Sequence, residues 1–252
     1  MRYKEHIDKQ PMSLELVPLM HTCDGIGFLG IIESQEISAS LCPVFNESLV
    51  YYFYGRPAYR VKESSCSSMI ELFPVCFIIK PESLDALKRV YPFDTGAFEA
   101  DLYQQHMSSK MPMQRFELKP SYDFIKKFVE YIYGSNSNYY KGRSILDASS
   151  LSPLYTEIQS LLRLVNYTGA ERIDDRCSTI EVQTEKALDI TSGAIQAIIM
   201  PSEMLADESV SDLLMDHDIE PITYEVYRSS PSAMTNVILN KTSEYLSQGG
   251  AI

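Results

Sequence analysis

The sequence predicts an α+β fold, with mixed, mostly antiparallel central sheets and flanking helices. Runs of strand character and runs of helical character both occur, but they do not alternate as regular βαβ units. The run Pro74–Lys80 (PVCFIIK) is apolar almost throughout, as expected of a central strand covered on both faces. Residues 122–133 (YDFIKKFVEYIY) place apolar side chains at 122, 124, 125, 128, 129, 132 and 133, the stripe of an amphipathic helix.

The remaining elements follow in order. Residues 1–13 read as a polar lead-in, and Leu14–Thr22 as a short strand that ends on His21. Asp24 is placed to cap a helix whose apolar face carries Phe28, Leu29, Ile31 and Ile32. A second short strand is expected at Ile37–Leu41, and an aromatic, β-branched one at Ser48–Tyr54 (SLVYYFY). Ser83–Val90 has the spacing of a short helix with a serine cap, and Tyr91–Phe98 reads as loop or strand. Residues 101–117 are polar and Met-rich, 134–143 (GSNSNYYKGR) read as a flexible loop, and Pro153–Leu164 as a helix. Strands are then predicted at Cys177–Gln183, Ala194–Met200 and Pro221–Tyr227, with a Pro201-led helix to about Met215. One domain is expected over 14–246, followed by a flexible tail at 247–252.

Charge restricts the function classes. The chain has 34 acidic and 22 basic residues, a formal net charge of −12. Nucleic-acid binders need clustered Lys and Arg to displace counterions, and the longest such cluster is Lys126-Lys127. Nucleic acid is therefore disfavoured as a partner. The five cysteines (Cys23, Cys42, Cys66, Cys76, Cys177) are widely spaced with no Cys-x-x-Cys, which argues for reduced thiols rather than disulfides or structural zinc. Four histidines (His6, His21, His106, His217) make a multi-His metal site unexpected. The N-terminal MRYKEHIDKQP is polar, and no apolar run approaches the ~20 residues that span a bilayer. These features together predict a cytoplasmic protein without a membrane partner.

The G-x-x-x-x-G-K-S/T phosphate loop, H-E-x-x-H and G-x-S-x-G are absent from the sequence. Asp94-Thr95-Gly96-Ala97 matches the aspartic protease tetrapeptide, but that chemistry needs paired carboxylates and only one copy occurs. A protease would have to be a homodimer, so Asp94 is expected to fix a turn.

A second constellation is dispersed. His21-Thr22 ends a strand before a helix, Tyr51-Tyr52-Phe53-Tyr54 leads to Arg56, and Arg176-Cys-Ser-Thr-Ile-Glu181 enters a late strand. Over residues 14–60 and 172–205 this order resembles the ADP-ribosyltransferase superfamily in its H-Y-E arrangement, of the DarT-like and RNA 2′-phosphotransferase-like kind. An unrecognised insertion of about 61–171 separates the two parts.

The resemblance implies a transferase, or NAD glycohydrolase, that cleaves NAD as substrate and passes ADP-ribose to an acceptor. It also implies a setting such as a bacterial toxin or phage-defence effector. It places His21 and Thr22 on the ribose, Tyr51 or Tyr52 on the nicotinamide ring, Arg56 on phosphate or the reacting face, and Glu181 as the catalytic carboxylate. Glu185 competes with Glu181, and Tyr54 with Tyr51 and Tyr52; neighbouring strand residues face opposite ways, so Tyr51 and Tyr52 cannot both line one site. The acidic charge points to a protein or small-molecule acceptor, or to a basic partner docked on the surface. A non-enzymatic interaction module of the same shape is the alternative, and the 17 tyrosines and 11 methionines suit one.

Overall fold

The computed structural model describes residues 2–103, 105–107, 110–169 and 174–252. In chain order the first half contains α1 (Arg2–Asp8), β1 (Leu19–Asp24), α2 (Gly25–Ser34), β2 (Glu36–Ile37), β3 (Ser40–Cys42), β4 (Glu47–Tyr54), β5 (Pro74–Ile79), β6 (Arg89–Tyr91) and α3 (Thr95–Glu99). The second half contains α4 (Tyr122–Tyr133), α5 (Asn136–Tyr140), α6 (Thr156–Val165), β7 (Glu181–Thr184), β8 (Leu188–Asp189), β9 (Ile195–Pro201), α7 (Glu208–Asp216), β10 (Glu220–Tyr224) and α8 (Thr235–Gln248).

The fold is mixed, with a mostly antiparallel central sheet in the order β10-β9-β5-β1-β4-β7-β6, while β3 adds to β4. β9 and β10 run parallel. β2 and β8 form a separate two-stranded ribbon. The prediction for β5 holds: it lies between β1 and β9, and all six of its residues are buried.

Each face of the sheet buries its own side chains. Leu19, Tyr52 and Phe77 join a large cluster with Phe28 of α2, Phe128 of α4 and Leu161 of α6. Met20, Phe53, Cys76 and Ile199 face the other way, under Ile238 and Leu246 of α8. Each fully buried residue of this size contributes about 1.5–3 kcal/mol. Among the described residues, no helix is long and apolar enough to cross a membrane.

Several elements depart from the sequence expectation. The lead-in is helical: Tyr3 and Ile7, four apart on α1, are buried. Residues 61–171 are no insertion, because they supply β5, β6 and α3–α6, including the centre of the sheet. The expected helix at Ser83–Val90 is instead a short turn followed by β6, drawn out by pairing with β7. The expected loop at 134–143 contains α5, capped by Ser135 and anchored by the buried Tyr139. The expected strand at Ile37–Leu41 divides between β2 and β3. The predicted flexible tail packs instead: Ala251 N–H donates to Leu246 O at 2.9 Å, and Asn136 Nδ2 donates to Ala251 O at 3.1 Å.

Gly55 ends β4 with φ of +65°, and a Cβ there would lie 2.7 Å from Val17 Cγ2. Both the left-handed backbone and the contact require glycine. Gly55→Ala is expected to cost at least about 1–2 kcal/mol from the backbone alone. Val17→Ala in the same chain should restore the steric part, as measured by denaturant unfolding of both variants.

Candidate functional site

The ladder between β1 and β4 is short. Only Leu19↔Tyr54 and Met20↔Phe53 pair; beyond them β1 continues along β5 to Asp24, while β4 continues along β7. The far part of the β4 edge is taken by β3, at Ser40↔Leu49 through Cys42↔Glu47. His21 stands where the strands part. Its Nδ1 lies 2.9 Å from the Tyr51 carbonyl. A carbonyl only accepts, so Nδ1 carries the proton and Nε2 keeps its lone pair. Burial among rings lowers the His21 pKa, more than the Tyr51 carbonyl raises it, so the imidazole is neutral.

Register sorts the sequence-predicted residues onto two faces. Tyr51 pairs with Gln183, and Phe53 with Glu181, while Thr22 pairs with Cys76. With side chains alternating along each strand, Thr22, Tyr51, Glu181 and Gln183 share the face that carries Met20 and Phe53. His21 and Tyr52 lie on the opposite face, with ring centroids 6.0 Å apart and His21 6.1 Å from Phe77. The structure therefore brings Thr22, Tyr51 and Glu181 to one side, and does not bring His21 to it.

Glu181 is the enclosed carboxyl on that side, at 1% exposure. Thr95 N–H donates to its Oε2 at 2.8 Å and the Thr95 hydroxyl to its Oε1 at 2.8 Å. Gln183 Nε2 donates to Oε1 at 2.6 Å. These donors favour the anion, yet burial, with the nearby Asp94 charge adding to it, pushes the pKa up to about 8. Asp94 caps α3 by accepting from Ala97 N–H at 2.7 Å, and its own pKa is raised by burial. The expected turn-fixing role of Asp94 is thus the one its contacts describe. Tyr51 is half-buried, and its hydroxyl donates to Cys42 Sγ at 2.6 Å.

The other predicted groups are occupied or exposed. Arg56, expected on phosphate, turns inward at 3% exposure. Its Nη1 donates to Ser178 Oγ at 2.9 Å, its Nη2 donates to Asp175 O at 3.2 Å, and Asp175 Oδ2 pairs with it at 3.3 Å. Arg56 therefore fastens the turn before β7 and presents no fork to a ligand, which corrects the expectation. Tyr54 is buried, and its hydroxyl accepts from Val17 N–H. Glu185 is 65% exposed and pairs with Lys88, so of the two competing carboxylates Glu181 is the enclosed one.

Sequence reasoning missed Thr95 and Gln183. The i, i+2 spacing in Glu181-Val-Gln183 is a readable signal for a shared face. The Thr95 contact spans 86 residues and has no local signature. Among the described residues, no group of three or more His, Cys, Asp or Glu could hold a metal ion.

The raised pKa has a consequence for stability. The folded state holds the Glu181 proton more tightly than the unfolded chain does. That contribution is fully present below 4.5 and is lost as pH rises through about 8. Thermal melts across this window should show the wild type losing stability with rising pH, and Glu181→Gln should flatten that slope. An unchanged slope in the variant would contradict the assignment. No family model, no curated protein and no solved structure matches this chain.

Proposed function

We propose that this chain is an ADP-ribosyltransferase-type enzyme that cleaves NAD on the Glu181 face and passes ADP-ribose to a protein or small-molecule acceptor. The observation that carries the reading is the enclosed Glu181 carboxyl, raised in pKa and on one face with Tyr51 and Thr22, where β1 and β4 part. Strongly perturbed carboxyls concentrate at functional sites because burial that is costly for the fold suits chemistry that handles charge.

The roles follow from charge. Breaking the bond between nicotinamide and ribose sends the electron pair to the nicotinamide nitrogen, which leaves neutral, and positive charge develops on the ribose. A carboxylate at that point stabilises the cation electrostatically. An acceptor oxygen then attacks the anomeric carbon and gives up its proton, for which the same carboxylate is a base. Glu181 must be ionised for this, and the positive nicotinamide ring of NAD would pull its pKa down on approach. The half-buried Tyr51 ring offers a stacking surface, and Thr22 a hydroxyl from the neighbouring strand. Thr95 must yield the carboxylate for the site to open.

A second reading has its own observation. His21 packs against Tyr52 and Phe77, Arg56 is consumed internally, and Glu181 tethers α3 through Thr95. That arrangement suits an interaction module that keeps a transferase-like order of elements without turnover.

Mass-spectrometric detection of nicotinamide released from NAD separates the two. The enzyme reading expects turnover that rises with pH through about 8, and a loss of roughly 10²–10³-fold in Glu181→Gln, the scale of removing one electrostatic stabiliser. Absence of both NAD binding and nicotinamide release in folded protein would leave the interaction module.

A further inference from the structure

The negative charge is concentrated at one edge of the molecule. The stretch 187–227 holds nine of the 34 acidic residues and none of the 22 basic ones, leaving a near balance of 25 against 22 elsewhere. This stretch forms β9, α7 and β10, and β10 is the last strand of the sheet. Between α7 and the start of β10 lies an open cleft of about 680 Å³. Leu214 and Ile219 give it an apolar floor, Met215 is 75% exposed at its lip, and Asp218 and Glu220 are its carboxylates. Gln196, on β9, also lines it, and its Oε1 is buried without a hydrogen-bond partner. The C-terminal end of α7, the negative pole of its dipole, arrives at the same place.

We propose that this cleft is the docking site for a basic, extended segment of a partner protein, with an arginine or lysine side chain seated in it. The chemistry is complementary at each point. An arginine stem is apolar and covers Leu214 and Met215, while its guanidinium has donors for Asp218, Glu220 and the unpaired Gln196 oxygen. An acidic segment or a phosphate backbone would meet like charge there, and a purely apolar ligand would leave the Gln196 oxygen buried and unpaired. The edge position of β10 leaves room for an extended chain beside the cleft, and Pro221, which lacks a backbone N–H, is tolerated on such an edge. The proposal does not depend on NAD cleavage and stands under either functional reading.

Fluorescence polarisation of the full chain with a short labelled peptide of alternating arginine and leucine, at about 0.15 M ionic strength, tests it. The expected result is saturable binding that Asp218→Asn with Glu220→Gln weakens by about tenfold or more, while Glu5→Gln with Glu82→Gln, the same charge change on another part of the surface, alters it by less than about twofold. Met215→Ser, at a side chain that is 75% exposed, should keep the fold and weaken binding severalfold. It carries the test if the double variant fails to fold. No saturable binding, or equal weakening by the two neutralised pairs, would overturn the proposal.

Discussion

β1 and β4 pair through Leu19–Met20 and Phe53–Tyr54 and then diverge, and the polar interior of the molecule is arranged around that divergence. A sheet normally satisfies its backbone groups by continuing the ladder. Here the Tyr51 carbonyl is satisfied by the His21 imidazole, and β3 takes the rest of the free β4 edge. His21 is therefore spent on holding the parting strands, and its low pKa keeps it neutral in that role. On the other face, the gap lets Tyr51, Glu181 and Gln183 stand together with Asp94 and Thr95, the cap and first residue of α3.

Two opposed electrostatic effects meet at Glu181. Each hydrogen bond it receives stabilises the anion, and a bond to a charged group is worth about 1.5–3 kcal/mol. Burial and the Asp94 charge act against the anion and prevail. The carboxyl is thus balanced so that an approaching cation changes its state. The acidic edge at 187–227 is a separate feature. Its carboxylates are mostly exposed and screened, so their effect is on which partners approach rather than on the fold.

Much of the fold is legible in the sequence where local and tertiary demands agree. The helix at Tyr122–Tyr133 is readable to the residue, because Ser121 caps it, Gly134 stops it and its apolar stripe faces the core. β5 is readable as central because every side chain is apolar. Elements decided by distant partners are not readable. Ser83–Val90 has helical spacing, yet the open edge of β7 recruits Arg89–Tyr91 as a strand. Asn136–Tyr140 looks like a polar loop, and it is Tyr139, donating to Tyr54 O at 2.7 Å and accepting from Ile180 N–H, that makes it part of the core. The same limit applies to the site. The residue types are visible in the sequence, but the faces they occupy depend on register, and a shift of one residue would reverse them.

In the proposed reaction Glu181, and not His21, is the group that answers to NAD. Carbon-13 NMR of the Glu181 carboxyl and nitrogen-15 NMR of the His21 ring, followed as NAD is added, test it directly. The expected result is a carboxyl that titrates near 8 in the free protein and moves towards the ionised state with NAD, while His21 stays neutral with its proton on Nδ1. A Glu181 signal that ignores NAD while the His21 Nε2 signal shifts would contradict it.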